Sequence, residues 1–213
     1  MECRDPLQML DLLRDRADRR KWRLFAIHCC SGVLTRFFSY RKLEFALTCC
    51  ARGLDEHSPQ EDWKRAWDAI DWAREEPSDS LNALAIAVRV GLGSYCDTVD
   101  AGRTVVRSLS DALRQSQTHS HGEEDFHFQA DILRDLFGNP YYPIFFKPTW
   151  RTSTAVALAT QMYDSRNFGA MPILADALQD AGCINDDILN HCRDAKQVHV
   201  RGCWVVDLVL GKE

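Results

Sequence analysis

The sequence predicts an all-α protein, built as a multi-helix bundle or an irregular helical array of short antiparallel helix pairs, with one proline-rich extended connector. Three observations predict this fold class. Helix N-cap residues recur along the chain, apolar residues follow them at the spacing of one helix face, and glycines stand where several of these segments end. Only the closing segment also fits a strand, and the remaining sequence offers it no convincing strand partner.

The 213 residues are 46% hydrophobic and 27% charged, which is typical of a folded protein large enough to bury a core. The formal charge of -5 provides no overall attraction to nucleic acid or to an anionic membrane. The opening MECRDPLQML contains no apolar signal segment, and no run approaches the roughly 18 apolar residues of a membrane helix. We therefore expect a cytoplasmic, cysteine-rich protein without membrane contact, whose nine cysteines are reduced and mostly buried.

Residues 1–137 form the predicted N-terminal helical part. Two of its helix starts have an N-cap residue followed by proline, at residues 5–6 and at residues 58–59, where Glu61 completes a capping box. The polar segment at residues 116–125, SQTHSHGEED, interrupts the helical pattern and is predicted to be an exposed loop.

Two adjacent cysteine pairs lie in consecutive predicted helices that a short turn would join into an antiparallel hairpin. Neighbouring residues of a helix point about 100° apart, so we expect one thiol of each pair to face the other helix. A redox or metal-binding role stays open, but we favour small residues that allow close helix packing. The pairs are Cys29 with Cys30 and Cys49 with Cys50.

Residues 138–152 are predicted to be an extended connector between two helical parts. Pro140, Pro143 and Pro148 exclude a regular helix there, because proline lacks the backbone N–H and restricts the residue before it. The connector also has five aromatic side chains, too many to leave in water, so we expect it to pack against both parts. These are Tyr141, Tyr142, Phe145, Phe146 and Trp150.

Residues 153–213 form the predicted C-terminal helical part. Gly182 is a natural helix stop, and Asn185 or Asp186 is a natural cap for the next helix. The closing run CWVVDLVL is interpreted as a core helix buried on nearly all sides, with Trp204 as its largest buried contributor.

One charged residue, Asp207, lies inside this apolar run. A buried charge is stable only when it is paired or hydrogen-bonded. We therefore expect Asp207 to be a structural cap or an ion-pair partner, with Arg201 as the candidate cation, rather than a member of a site.

Four blocks of the chain carry a family resemblance: DRRKWRLFAIHCC, ILRDLFGNPYYP, MYDSRNFGAMPILADALQDAGCINDDILNHCR and HVRGCWVVDLVLGKE. They resemble the N-terminal and C-terminal signatures of a large group of uncharacterised planctomycete proteins. The resemblance covers most of the chain, although residues 55–125 are similar only in length and helical character. It implies one intact, helix-rich, cytosolic protein, and it implies no activity and no site residue.

The strongest metal candidate is the set Cys183, Cys192, His199 and Cys203, with His191 as a spare ligand. Structural zinc sites favour four sulfur or imidazole ligands in a tetrahedron, and the spacing C-x8-C-x6-H-x3-C can deliver them. The tight C-x2-C pair of well-defined zinc motifs is absent, and the intervening residues are typical of helix core. We therefore expect no cofactor and no stoichiometric metal, with zinc as the alternative.

Three histidines, His119, His121 and His127, stand beside three acids in the stretch HSHGEEDFH, which begins in the polar segment. Such a segment binds transition metals weakly and adventitiously, and we do not interpret it as a designed site.

A basic cluster near the N-terminus consists of Arg19, Arg20, Lys21 and Arg23. Such a cluster can contact a nucleic-acid backbone, but the negative net charge makes this partner the less favoured one.

The nearest approach to a catalytic set is His191, Cys192 and Asp176. Adjacent helix residues diverge, and Asp176 also fits the solvated face of its helix, so no catalytic or cofactor-binding residue is assigned. The favoured function is a non-enzymatic helical protein-interaction module. The alternatives are a zinc-dependent or nucleic-acid-binding regulator and, third, an enzyme using the His191, Cys192 and Asp176 region.

Overall fold

The computed structural model describes residues 3–13, 19–38, 40–52, 60–76, 78–92, 99–115, 122–142 and 144–212. These residues form eleven α-helices and one 3-10 helix and contain no strand, which confirms the predicted all-α fold. The helices are α1 (Pro6–Leu12), α2 (Arg19–Phe37), α3 (Arg41–Arg52), α4 (Gln60–Glu75), α5 (Asp79–Leu92), α6 (Val99–Gln115), α7 (Gly122–Phe137), the 3-10 helix (Pro148–Trp150), α8 (Ser153–Ser165), α9 (Met171–Asp180), α10 (Asp186–Arg193) and α11 (Trp204–Leu210).

The chain divides into two compact units, Met1–Leu133 and Arg134–Glu213. The predicted connector belongs to the second unit, together with the last turn of α7. None of the helices in the described ranges is both long and apolar enough to cross a membrane.

In the N-terminal unit, α5 packs along α6, and α2 contacts α3, α5 and α6. Helix α1 begins as predicted, with the Asp5 carboxylate accepting hydrogen bonds from the N–H groups of Leu7 and Gln8 and with proline at the first helical position. The four cysteines of the two adjacent pairs have no solvent exposure, as expected for small residues at helix contacts. These are Cys29, Cys30, Cys49 and Cys50.

The structure tests the predicted exposed loop at residues 116–125 only in its second part. Residues 122–125 are helical, because α7 begins at Gly122, so the predicted loop is wrong for that part of the polar segment. Residues 116–121 and the proposed cap at residues 58–59 lie outside the described residues.

In the C-terminal unit, α8 contacts α9 and α11, and α10 contacts α9 and α11. Thr152 caps α8, and the Asn185 amide oxygen caps α10 by accepting the N–H of Ile188 at 3.0 Å. Gly182, predicted as a helix stop, has a φ of +85°, in the left-handed region that favours glycine. Apolar residues of all four helices enclose one core.

The connector contributes only part of its aromatic side chains to this core. Trp150 is buried there, and the Phe146 ring meets it edge-on with 5.4 Å between the ring centroids. Tyr141, Tyr142 and Phe145 are 65%, 69% and 80% exposed, so the expectation that the connector buries its aromatic residues is wrong for these three.

The closing segment is the predicted helix, α11, but it is less buried than expected. Val205, Val206, Val209 and Asp207 are buried, whereas Trp204 is only half-buried, as are Leu208 and Leu210. Trp204 and Leu208, which lie one turn apart, thus form a partly solvated edge of the helix. The Arg151 guanidinium caps its C-terminal end, since Nε and Nη2 donate to the Leu208 carbonyl at 3.1 and 2.9 Å.

Candidate metal centre

Four side chains of the C-terminal unit converge on one point between the ends of its helices. They are Asp135, His191, His199 and Cys203, and one potential ligand atom of each lies within 4.8 Å of the others. Asp135 and Cys203 are fully buried, and the two histidine side chains are 10% and 9% exposed. Such a closed cluster of oxygen, nitrogen and sulfur atoms is a candidate metal centre.

The separations resemble the edges of a coordination tetrahedron. Asp135 Oδ1 lies 2.9 Å from His199 Nδ1 and 3.2 Å from His191 Nε2. Cys203 Sγ lies 3.2 Å from His191 Nε2 and 4.0 Å from His199 Nδ1. Zinc bonds of about 2.0–2.3 Å place ligand atoms about 3.3–3.6 Å apart, so only small shifts separate this arrangement from a zinc tetrahedron.

Local structure positions each of these side chains. Asp135 lies in the last turn of α7, His191 in the last turn of α10, and Cys203 at the N-cap position of α11. His199 lies in the segment that joins α10 to α11. The N–H of the next residue, Val200, donates to Asp135 Oδ2 at 2.8 Å, which fixes the carboxylate and leaves Oδ1 facing the histidines.

Electrostatics affect the two acidic groups of the cluster, Asp135 and Cys203, in opposite directions. Burial by itself would raise the pKa of Asp135, but hydrogen bonds and charge interactions with His191 and His199 outweigh it, so the pKa is lowered. Burial, reinforced by the nearby Asp135 charge, raises the pKa of Cys203 well above its usual value. Without a metal the cluster therefore holds a carboxylate and a neutral thiol at neutral pH.

Trp204 determines the tautomer of His191 in this structure. Its indole Nε1–H donates to His191 Nδ1 at 3.2 Å. An indole nitrogen donates only, so Nδ1 accepts, and a neutral His191 carries its proton on Nε2, which faces Asp135 Oδ1. A metal bound at Nε2 would move that proton to Nδ1, facing the indole N–H, and would require Trp204 to shift.

The structure joins only part of the metal set predicted from the sequence. His199, Cys203 and the spare ligand His191 meet, while Cys183 and Cys192 lie in the apolar core. Burial raises the pKa of the Cys192 thiol to about 12, with the Asp135 charge as the next cause.

Asp135 was missed because it lies far from the other three in sequence, inside an ordinary helical pattern. One signal was present, however. Asp135 follows Ile132 by three residues and precedes Leu136, and both neighbours are buried, so the acid lies on the apolar face of α7. A carboxylate on an apolar helix face needs an ion-pair or hydrogen-bond partner. Its position on that face would therefore have identified Asp135 as a candidate site residue.

The remaining candidate residues that the structure describes do not form a second centre. Asp176 is 70% exposed and forms a 2.7 Å ion pair with Arg193, a surface environment unlike that of His191. His127 is exposed, and His119 and His121 lie outside the described residues.

The basic cluster of α2 is only partly solvated. Among its four members, Arg19 is exposed, whereas Arg20, Lys21 and Arg23 are half-buried. Contact of this cluster with nucleic acid stays an untested alternative that the sequence does not favour.

No protein-family model, curated protein or solved structure matches this chain. The resemblance to the planctomycete group therefore stays a prediction.

Proposed function

We propose that this chain is a zinc-binding helical protein, in which Asp135, His191, His199 and Cys203 hold a structural metal ion in the C-terminal unit. The observation that supports the proposal is the convergence of four ligand atoms of the right chemistry in one buried place. From the sequence we expect a chain without stoichiometric metal, with zinc as the alternative. The present proposal adopts that alternative.

The donor set favours zinc over other cations. Thiolate and imidazole ligands suit zinc, and a mixed set of one sulfur, two nitrogens and one oxygen is compatible with its tetrahedral coordination. Magnesium and calcium prefer oxygen ligands throughout. With four protein ligands no position is left for water, which is the arrangement of structural rather than catalytic zinc sites.

Charge balance supports a cation as well. The Asp135 side chain has no solvent exposure, and its ion-pair partners in the described part of the chain are two histidines rather than lysine or arginine. Burying a charge is costly unless it is compensated. A zinc ion with one carboxylate and one thiolate is neutral overall, although Cys203, with its raised pKa, must lose its proton on binding.

The proposal is tested by the zinc content of the full chain after zinc loading and exhaustive dialysis. We expect about one zinc per chain in the wild type. Asp135→Asn should lose most of this zinc, because an amide is a much weaker ligand than a carboxylate. Cys183→Ala, which changes a buried cysteine outside the cluster, should retain it.

Elemental analysis measures the zinc, and far-UV circular dichroism confirms that each variant is still helical. A wild-type chain without zinc contradicts the proposal. Zinc lost from Cys183→Ala but kept in Asp135→Asn would instead support the set predicted from the sequence.

The expectation of a helical protein-interaction module stays a prediction. Its support is the exposure of three neighbouring aromatic side chains of the connector, Tyr141, Tyr142 and Phe145, which is unusual for aromatic residues. A structural zinc centre is compatible with such a role, because it would stabilise the unit that presents these side chains.

A further inference from the structure

The connector carries an exposed aromatic surface, which consists of Tyr141, Tyr142 and Phe145. Each of these side chains is at least 65% exposed, although large aromatic rings are usually buried for the most part. Burial alternates along residues 144–147, as in an extended segment. Ile144 and Phe146 pack against the core of the C-terminal unit, whereas Phe145 and Lys147 are exposed. The fold therefore places Phe145 on the solvent side of this segment.

Two exposed cations adjoin the aromatic surface. Lys147 Nζ lies 5.6 Å from the centroid of the Trp150 ring, and the guanidinium carbon of Arg151 lies 5.4 Å from the centroid of the Phe146 ring. From residue 138 to residue 152 the sequence contains these two cations and no acidic residue. The connector therefore carries only positive charge.

Two further cations extend this charge past the end of α11. A Cβ at Gly211 would lie 3.8 Å from Arg151 Nη2, so Arg151 adjoins the backbone next to Lys212. Lys212 and Arg201 in turn lie over the same ring, that of Tyr163, at 4.5 and 4.4 Å from its centroid. These contacts join four side chains into one basic track. The basic track consists of Lys147, Arg151, Lys212 and Arg201.

The backbone beside the aromatic surface is available for pairing. In the described part of the chain, none of the N–H groups of residues 144–147 has a hydrogen-bond partner. Backbone N–H groups that are hidden from water are nearly always paired, so these groups face solvent. An extended segment with unpaired N–H groups is a template for an added strand.

We propose that the aromatic surface and the basic track bind an extended acidic segment of a partner protein. The main chain of that segment pairs with residues 144–147, as in strand addition. Its apolar side chains cover the three exposed rings, since aromatic residues are frequent energetic centres of protein interfaces. Its carboxylates meet the basic track, which supplies the complementary charge. The binding does not depend on the zinc centre.

A protein segment suits this surface better than nucleic acid does. A peptide has the regularly spaced carbonyl groups that an unpaired row of N–H groups accepts, and nucleic acid has none. The formal charge of -5 and the exposed acids of α9 and α10 repel a long polyanion, whereas a short segment needs only the track. These acids are Asp176, Asp180, Asp186 and Asp187. Asp164, which follows Tyr163 and is exposed, ends the track on that side.

Selection of a random peptide library displayed on phage against the full chain tests the proposal. The selected peptides should be enriched in aspartate and glutamate together with apolar residues, relative to the unselected library. Synthetic versions of the selected peptides, measured by fluorescence anisotropy, should bind more weakly as the salt concentration rises.

Variants of exposed residues locate the binding surface. Phe145→Ala should weaken the binding of a selected peptide about tenfold or more, because it removes a central ring of the interface. Ile184→Ala, which truncates an 83% exposed side chain elsewhere in the same unit, should leave it unchanged. Lys147→Glu should weaken binding, whereas Lys196→Glu makes the same change of net charge outside the track and should not. Circular dichroism confirms that each variant is still helical.

Backbone N-methylation of a selected peptide tests the strand pairing. Methyl groups on every second residue block one edge of an extended peptide, and the two alternating patterns block opposite edges. One pattern should abolish binding, and the other should preserve it. Equal effects of the two patterns would overturn pairing with residues 144–147.

Two other outcomes overturn the proposal. One is a selected set with no excess of acidic residues, or peptides whose binding survives both Phe145→Ala and Lys147→Glu. The other is a single-stranded oligothymidylate that binds more tightly than the selected peptides and is lost in the same two variants, which would assign the surface to nucleic acid.

Discussion

Asp135 carries a negative charge in a place that water does not reach. Its carboxylate is held by the Val200 N–H at 2.8 Å and by two imidazole groups at 2.9 and 3.2 Å. The two imidazole groups, of His191 and His199, stabilise the charged form, which is why the pKa of Asp135 falls although burial opposes it. At the scale of single residues, this carboxylate is the charge that the proposed zinc ion would neutralise.

Replacing Trp204 tests whether His191 binds the metal through Nε2. Zinc bound at Nε2 would leave the imidazole proton on Nδ1, where it would face the indole N–H of Trp204. Trp204→Phe removes this unfavourable contact between two donors, so it should strengthen zinc binding by up to about tenfold. Competition with a chromophoric chelator measures the affinity. Trp150→Phe, a matched change in the same core, should leave it unchanged. Weaker zinc binding in Trp204→Phe alone would argue against this ligand atom.

At the scale of elements, local signals identified most helices of the C-terminal unit. The amide of Asn185, the left-handed Gly182 and the apolar closing run all act through neighbours in sequence, which a single sequence displays. The sequence named three members of the candidate metal set, His191 as a spare ligand among them, and missed Asp135, because the set forms only where α7 meets α10 and α11. That contact joins residues 135 and 191, and no local pattern encodes it.

The end of α7 gives a direct test of one such non-local contact. Gly138 has a φ of +62°, and a Cβ there would lie 3.3 Å from the Trp204 ring. Gly182 has a φ of +85° and open space around it. Gly182→Ala should therefore cost about 1 kcal/mol from backbone strain, and Gly138→Ala should cost about 1–3 kcal/mol more from overpacking. Urea unfolding measures both, and equal costs would contradict the close approach of Trp204.

At the scale of the whole molecule, the chain consists of two compact units, and the proposed metal belongs entirely to the second. The centre joins the end of α7, the end of α10 and the start of α11, three short elements whose ends would otherwise be connected by loops and apolar contacts. Metal binding in such a unit is coupled to its folding.

Hydrogen exchange on the intact chain tests this coupling. Chelation of zinc should increase amide exchange in α10 and α11, because the metal no longer joins their ends. Exchange in α2, α5 and α6 of the N-terminal unit should stay the same. An unchanged C-terminal unit, or an equal loss of protection in both units, would contradict a zinc ion that stabilises one unit.

X-ray absorption at the zinc edge tests the central claim most directly, because it counts the ligand atoms by element. The proposed centre predicts one sulfur at about 2.3 Å and three nitrogen or oxygen atoms at about 2.0–2.2 Å. The set read from the sequence, Cys183, Cys192, His199 and Cys203, would give three sulfurs and one nitrogen. A spectrum with three sulfurs, or with oxygen ligands only, would contradict the centre formed by Asp135, His191, His199 and Cys203.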